Sequence, residues 1–419
     1  MTRTTSLGAA LVLGVLLGAS ACNNDELIRP AQFVPIDPLF ERYVSMGNSI
    51  TAGFQSAGIN DSTQGQAYPV LLARAMKSPF FAPLMNKPGC PPPFTNVFTQ
   101  ARLSGGTPTT CALRKTQSLP PPYISNTAVP GAEVLDIYNN LDTASNANPL
   151  TTFVLGGLTQ AQMMQRAQPT FVSIWIGNND VLGAATNSAN GGDSTKITPV
   201  AAFQTRSTAA FDAVEAVGPR GVVVIGVANV TLIPFFSRGA TYWAIDNGLV
   251  PGAAFPPTMV VDNNCAPIAT GIPGARGDST LVPFPYGALL LGTAQAGGPA
   301  VLSCSDTIPQ VVVPAELRKL LATVTAYNTF DSTQAATRGW AWVNPNPLLA
   351  TLAADTAQVR PFPYFPQGNA GDTVAVRRPF GRGFSLDAVH PSAATHKRIA
   401  NALAQAINAK YGTSIPAIP

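Results

Sequence analysis

Charge is what this chain has least of. Lys, Arg, Asp and Glu make up 11% of its 419 residues, where soluble domains carry about 25%. The net charge of +4 is spread thinly and forms no long Lys/Arg run, so the composition gives no reason to expect a nucleic acid as partner. Histidine is scarcer still, with only His390 and His396. No Cys-x-x-Cys or His-rich spacing occurs, so no metal site is expected. The apolar run nearest the N-terminus, Leu7 to Ala19, is too short for the roughly 20 residues that span a bilayer. Apolar side chains, by contrast, make up 46% of the chain. A substantial core is therefore expected, in one large domain or two ordinary ones. The 39 Pro and 36 Gly point to long ordered loops.

Arg3 precedes the Leu7–Ala19 run, which ends in Ala19-Ser20-Ala21-Cys22. This is the layout of a secretory signal peptide over residues 1–21. It resembles the lipobox of bacterial lipoproteins, with Ala19 where Leu is usual. The resemblance implies lipidation of Cys22, a tether over 22–38, and a membrane partner reached through the anchor. Asn23, with no Asp retention signal, points to the outer membrane of a Gram-negative envelope. Plain cleavage after Ala21 would instead give a periplasmic or secreted product. Cys90, Cys111, Cys265 and Cys304 remain, an even number suited to an oxidising compartment. Three pairings are open. The local one, Cys90–Cys111 with Cys265–Cys304, is favoured because each pair brackets a Pro/Gly-rich loop.

From about residue 39 to 413, strand-like and helix-like runs alternate, the pattern of one α/β domain with a mainly parallel sheet. Strands are expected at Tyr43–Met46, Ile124–Val129, Phe171–Ile176, Gly221–Val230 and Trp340–Val343. Helices are expected at Ala67–Met76, Val200–Val217, Pro314–Phe330 and Ser392–Tyr411. The runs at 171 and 221 are apolar and β-branched, as in strands buried on both faces. Two long Pro/Gly-rich stretches, about 79–122 and 231–313, break the alternation and read as loop insertions. Phe235, Phe236, Tyr242 and Trp243 in the second could wall a substrate pocket or simply pack the insertion onto the domain.

With so few histidines, a general base is easily sought. His396 falls inside the C-terminal helix beside Lys397 and Arg398, a solvated or packing position. His390 lies just before that helix, in Asp387-Ala388-Val389-His390-Pro391, where a carboxylate three residues away can fold back onto Nδ1. Alone, Asp-x-x-His is weak. Ser49, in Gly47-Asn48-Ser49-Ile50, directly follows the first strand, so its hydroxyl should project from the carboxyl end of the sheet, where α/β proteins place their sites. Gly, Asn and Ser equally favour a plain strand-to-helix turn. Gly192-Asp193-Ser194 and Gly277-Asp278-Ser279 lie in polar loops that follow no apolar strand.

These segments resemble, in order, the four blocks of the GDSL or SGNH hydrolases. Gly47-Asn48-Ser49-Ile50 is similar to Gly-Asp-Ser-Leu, with Asn48 in place of the Asp. Asn126-Thr127-Ala128-Val129-Pro130-Gly131-Ala132 is similar to the second block, Gly177-Asn178-Asn179-Asp180 to Gly-x-Asn-Asp, and Asp387 to Pro391 to Asp-x-x-His-Pro. The resemblance implies a three-layer α/β/α, flavodoxin-like fold and a cofactor-free ester hydrolase (esterase, lipase or acyl hydrolase) acting on a small-molecule, lipid or glycan ester. It further implies Ser49 as nucleophile, His390 as base, Asp387 as orienter, and an oxyanion hole from Ser49, Gly131 and Asn179. Because the block-one Asp lies outside the triad, Asn48 should perturb the turn around Ser49 more than the relay. Two alternatives stand beside this: a carbohydrate or peptidoglycan O-deacetylase, and a non-catalytic binding lipoprotein of the same fold. The sequence leaves the oligomeric state open.

Overall fold

The computed structural model describes residues 34–115, 122–139, 149–360, 362–363 and 378–419. Residues 1–21 and Cys22, expected as a signal peptide and lipidation site, and most of the expected tether lie outside them. The sheet has four strands, all parallel and adjacent in chain order: β1 (Tyr43–Gly47), β2 (Phe171–Trp175), β3 (Gly221–Ile225) and β4 (Ala341–Val343). The 124–129 segment, expected as a strand, runs along the free edge of β1. It is joined there by an isolated parallel bridge at Ser45 and Asn126 and by Thr127 N–H to Ser45 O and Val129 N–H to Gly47 O.

Because side chains alternate across a strand, the sheet feeds two cores. Val44, Met46, Val172, Ile174, Val222 and Val224 face one, covered by helices α2 (Gln160–Ala167), α3 (Val200–Glu215) and α4 (Pro314–Thr337). Tyr43, Phe171, Trp175, Val223 and Ile225 face the other, under α1 (Tyr68–Met76) and α5 (Ala393–Tyr411). The result is the expected α/β/α sandwich. Helix α5 starts where Ser392 accepts the Thr395 N–H and stops where Gly412 turns left-handed. The α4 helix outruns its expected end by seven residues, from Phe330 to Thr337. Asp331 and Ala335 continue its buried stripe, and Thr333 and Thr337 return their hydroxyls to carbonyls four residues back.

The insertions are less loop-like than their composition implies. The first carries a hairpin, Phe94–Asn96 with Ala101–Arg102. The second is a small substructure of its own. It pairs Phe236–Arg238 with Leu281–Pro283 antiparallel and Met259–Val261 with Ala300–Leu302 parallel, and adds helices Gly239–Asp246 and Phe284–Gln295. Three-residue strands between Pro and Gly carry too little periodicity to read. Disulfides join Cys90 to Cys111 and Cys265 to Cys304, the local pairing. Phe236, Tyr242 and Trp243 are buried and Trp243 Nε1 donates to Asn263, so these aromatics pack the substructure.

Candidate active site

The site forms where β1 ends. At Gly47, φ is +155° and a Cβ would stand 2.4 Å from the Trp175 carbonyl oxygen and 2.5 Å from Thr51 Oγ1, so only glycine lets β1 lie this close to β2. Asn48 follows as N-cap of a four-residue helical turn, Ser49–Ala52, its Oδ1 accepting the Ile50 N–H. That is a turn-shaping role, away from the relay. Its Nδ2 is buried without a partner among the described residues. The Asn126 side chain, buried, donates to Thr51 O at 2.9 Å and ties the second block to this turn.

Ser49 meets His390 and Asp387, which lie three residues apart, across 341 residues of chain. His390 Nε2 lies 2.9 Å from Ser49 Oγ and its Nδ1 lies 2.8 Å from Asp387 Oδ2. Asp387 Oδ2 also accepts the Ala57 N–H at 2.6 Å, while Oδ1 accepts the Val389 and His390 amides and the Ser385 hydroxyl at 2.8–3.0 Å. Burial alone would raise this carboxyl's pKa. The adjacent imidazole, with the donors from His390 and Ala57, outweighs burial and brings it from 3.8 down to about 2, so the acid is an anion at neutral pH. The Phe54 ring lies 5.0 Å from the imidazole.

The second and third blocks meet each other at the loop after Val129. Gly131 is exposed, at φ +83°, and among the described residues neither its amide nor that of Ser49 has an acceptor. Asn179 opens the helix Asn179–Ala185, and its Nδ2 donates to Ala132 O at 2.8 Å. Asp180, wholly buried, accepts the Val134 N–H at 3.0 Å. These two bonds hold the 131–134 loop against the end of β2.

His396 corrects the solvated reading. It is fully buried, its Nδ1 accepts the Tyr68 N–H at 3.3 Å, and burial with the nearby His390 lowers its pKa from 6.5 to about 3. It is a neutral packing residue. Ser194 is exposed in a short turn capped by Asp193, and Ser279 bonds back to Arg276 O; neither approaches a histidine.

Sequence reasoning missed Gln160. Fully buried at the start of α2, it accepts the Gly47 N–H at 2.8 Å and donates to Gly47 O at 2.9 Å. The capping pair Thr159 and Gln162 marks that helix start, but nothing local shows that Gln160 turns inward.

A serine at a strand end of an α/β sheet, in hydrogen-bonded series with a histidine and a buried aspartate, defines the Ser-His-Asp class of site. No family model and no curated protein matches the chain. Among solved structures it is similar to an acetylxylan esterase mutant from Geobacillus stearothermophilus, at 11% identity and TM-score 0.36 over 88% of this chain and 94% of that one. It is also similar to an extracellular lipase from Streptomyces rimosus, at 14% identity and TM-score 0.35 over 87% of this chain and 99% of that one. At such identities and TM-scores the likeness adds no weight to what the residues carry.

Proposed function

We propose that the protein is a serine hydrolase of carboxylic esters. The observation that carries this reading is the unbroken line from Ser49 Oγ through the His390 ring to Asp387, at 2.9 and 2.8 Å. His390 Nε2 takes the Ser49 proton as Oγ attacks the ester carbonyl. The new imidazolium is supported by the Asp387 anion. The tetrahedral oxyanion is met by the amides of Ser49 and Gly131 and by the Asn179 Nδ2 hydrogen not bonded to Ala132. One such donor is worth about 2.7–4 kcal/mol of barrier. His390 then returns the proton to the leaving alcohol, and water repeats the sequence on the acyl-enzyme.

The test is release of p-nitrophenol from acetyl to palmitoyl esters, with Ser49→Ala alongside. Activity in the wild type that disappears in the folded variant supports the reading. A wild type that is folded, inert and unlabelled by a fluorophosphonate would instead be a binding protein. The chain-length profile, set against acetyl-sugar release, separates a general esterase from a deacetylase. Export and lipidation at Cys22 belong to the same proposal, supported by the Leu7–Cys22 sequence; palmitate labelling in a bacterial host that persists in Cys22→Ala would remove that part.

A further inference from the structure

The Asp387 carboxylate is held by a turn that is itself under strain. Gln55 and Gly58 exchange hydrogen bonds at 2.8 and 3.1 Å, and the two residues between them, Ser56 and Ala57, have φ of +55° and +51°. Two positive φ values define the tight turn normally filled by Asn-Gly, and non-glycine residues adopt them only against a steric clash of Cβ with the backbone. Both amides of this turn point at the acid loop. Ser56 N–H donates to Ser385 Oγ at 2.8 Å and Ala57 N–H to Asp387 Oδ2 at 2.6 Å, and the Leu386 N–H donates back to Ser56 Oγ at 3.1 Å.

Both carbonyls of the turn point the other way, into the first insertion. Phe94 N–H donates to Ser56 O at 2.7 Å. Arg102 Nη1 donates to Ala57 O at 2.8 Å and to Pro92 O at 2.7 Å. One peptide group, Ser56 C=O with Ala57 N–H, thus links the insertion to Asp387, and such chains polarise along their length. The guanidinium lies 4.0 Å from the centre of the Phe94 ring, and among the described residues no carboxylate pairs with it. The insertion also presses on the turn directly: a Cβ on Gly58 would stand 2.4 Å from Pro93 N and 2.6 Å from Pro91 O. A half-buried guanidinium with two carbonyl acceptors is held in place, and here it fixes the strained peptides that present an amide to the acid.

We propose that Arg102 is a positioning residue for the Asp387–His390 pair, acting through the Ser56–Ala57 turn and stacked on Phe94. The proposal rests on the ester-hydrolase reading above. The disulfide-closed insertion then serves the relay directly. Without Arg102 the turn relaxes, the Ala57 amide leaves Asp387, and the imidazolium formed in the reaction loses support. Among the described residues, the titratable side chains placed against the imidazole are Asp387 and, from α5, the neutral His396.

The experiment measures kcat, KM and the pH profile of p-nitrophenyl acetate hydrolysis for the wild type, Arg102→Ala, Arg102→Lys and Phe94→Leu. Arg102→Ala should lower kcat about tenfold, within the ~10²-fold that a misplaced catalytic group can cost, with KM little changed and the acid limb of the profile displaced. Arg102→Lys should recover much of the loss, because an ammonium can also donate to both carbonyls. Phe94→Leu should fall between. A folded Arg102→Ala with wild-type kcat and acid limb overturns the proposal. So does a loss of kcat that Lys does not rescue and that leaves the acid limb in place, since that is a purely structural role. Should Arg102→Ala not fold, a folded Phe94→Leu with wild-type kcat and acid limb overturns it equally. An inert wild type refutes the hydrolase reading itself, which is seen before any variant is compared.

Discussion

Replacing Gln160 by Leu removes two bonds at once, the one accepted from Gly47 N–H and the one donated to Gly47 O, at 2.8 and 2.9 Å. Gln160 is fully buried and Leu is close to it in volume, so the cavity term is small and the main cost is the pair of stranded backbone groups. Each buried group left unpaired costs about 1–3 kcal/mol, and Leu recovers part of this through the hydrophobic surface it buries. A net loss of about 2–4 kcal/mol follows, readable as a lower urea midpoint at unchanged slope. Function should fall further than stability, because Gly47 precedes Asn48 and Ser49 without a spacer. Gln160→Glu tests the same point from the other side: it keeps the acceptor for Gly47 N–H but sets a carboxylate oxygen against Gly47 O. That variant should be at least as destabilised near neutral pH and improve as the pH is lowered. A loss under 1 kcal/mol in Gln160→Leu, with normal kcat, would refute the idea that this side chain sets the strand end.

Asp387→Asn should leave the protein folded and lower kcat by about 10⁴-fold, because an amide facing Nδ1 selects the tautomer that cannot take the Ser49 proton; a loss under tenfold in steady-state hydrolysis would count against the relay. Asp180 offers a pH test. Burial, and secondarily Glu133, raise its pKa from 3.8 to about 7 against the Val134 amide, Thr198 and Arg206. The folded state therefore binds the proton more tightly than the unfolded one, and its contribution to stability falls as pH rises from about 4 to 7, by up to about 4 kcal/mol. Asp180→Asn should be more stable than the wild type at pH 8 and should flatten urea midpoints between pH 4 and 8. Some slope should remain from the buried Asp331, whose carboxyl is also raised; an unchanged slope would exclude Asp180 as its source.

The parts of this architecture legible in the sequence are those decided locally. Phe171–Trp175 and Gly221–Ile225 read as strands because both faces are buried and both runs are apolar. Helix α5 reads well because Ser392 and Gly412 punctuate it. Ser49 is visible through a short block at a strand end, and Asp387 and His390 through one just before α5, where backbone geometry and chemistry coincide. The illegible parts are those decided by distant partners. Nothing around Ser56 and Ala57 announces a left-handed pair, since their amides are satisfied by Ser385 and Asp387, about 330 residues away. Arg102 looks like any surface arginine until its carbonyl acceptors are in place. His396 sits among charged neighbours in sequence, yet α1 covers it completely. The second insertion was misjudged because its strands are three residues long, below the length at which alternation can be seen.

The acid–base loop has a consequence for timing. Asp387 is anchored to Ala57, its neighbour Ala388 accepts the Phe235 N–H at 3.0 Å, and His390 meets a serine 341 residues earlier. Every one of these closures waits for residues 387–390. A chain emerging N-terminus first therefore carries Ser49 on a formed strand end long before any base can reach it, and contacts of such sequence separation form late. On the ester-hydrolase reading, hydrolytic competence would thus mark the completion of folding, and the unfinished chain would carry an inert serine.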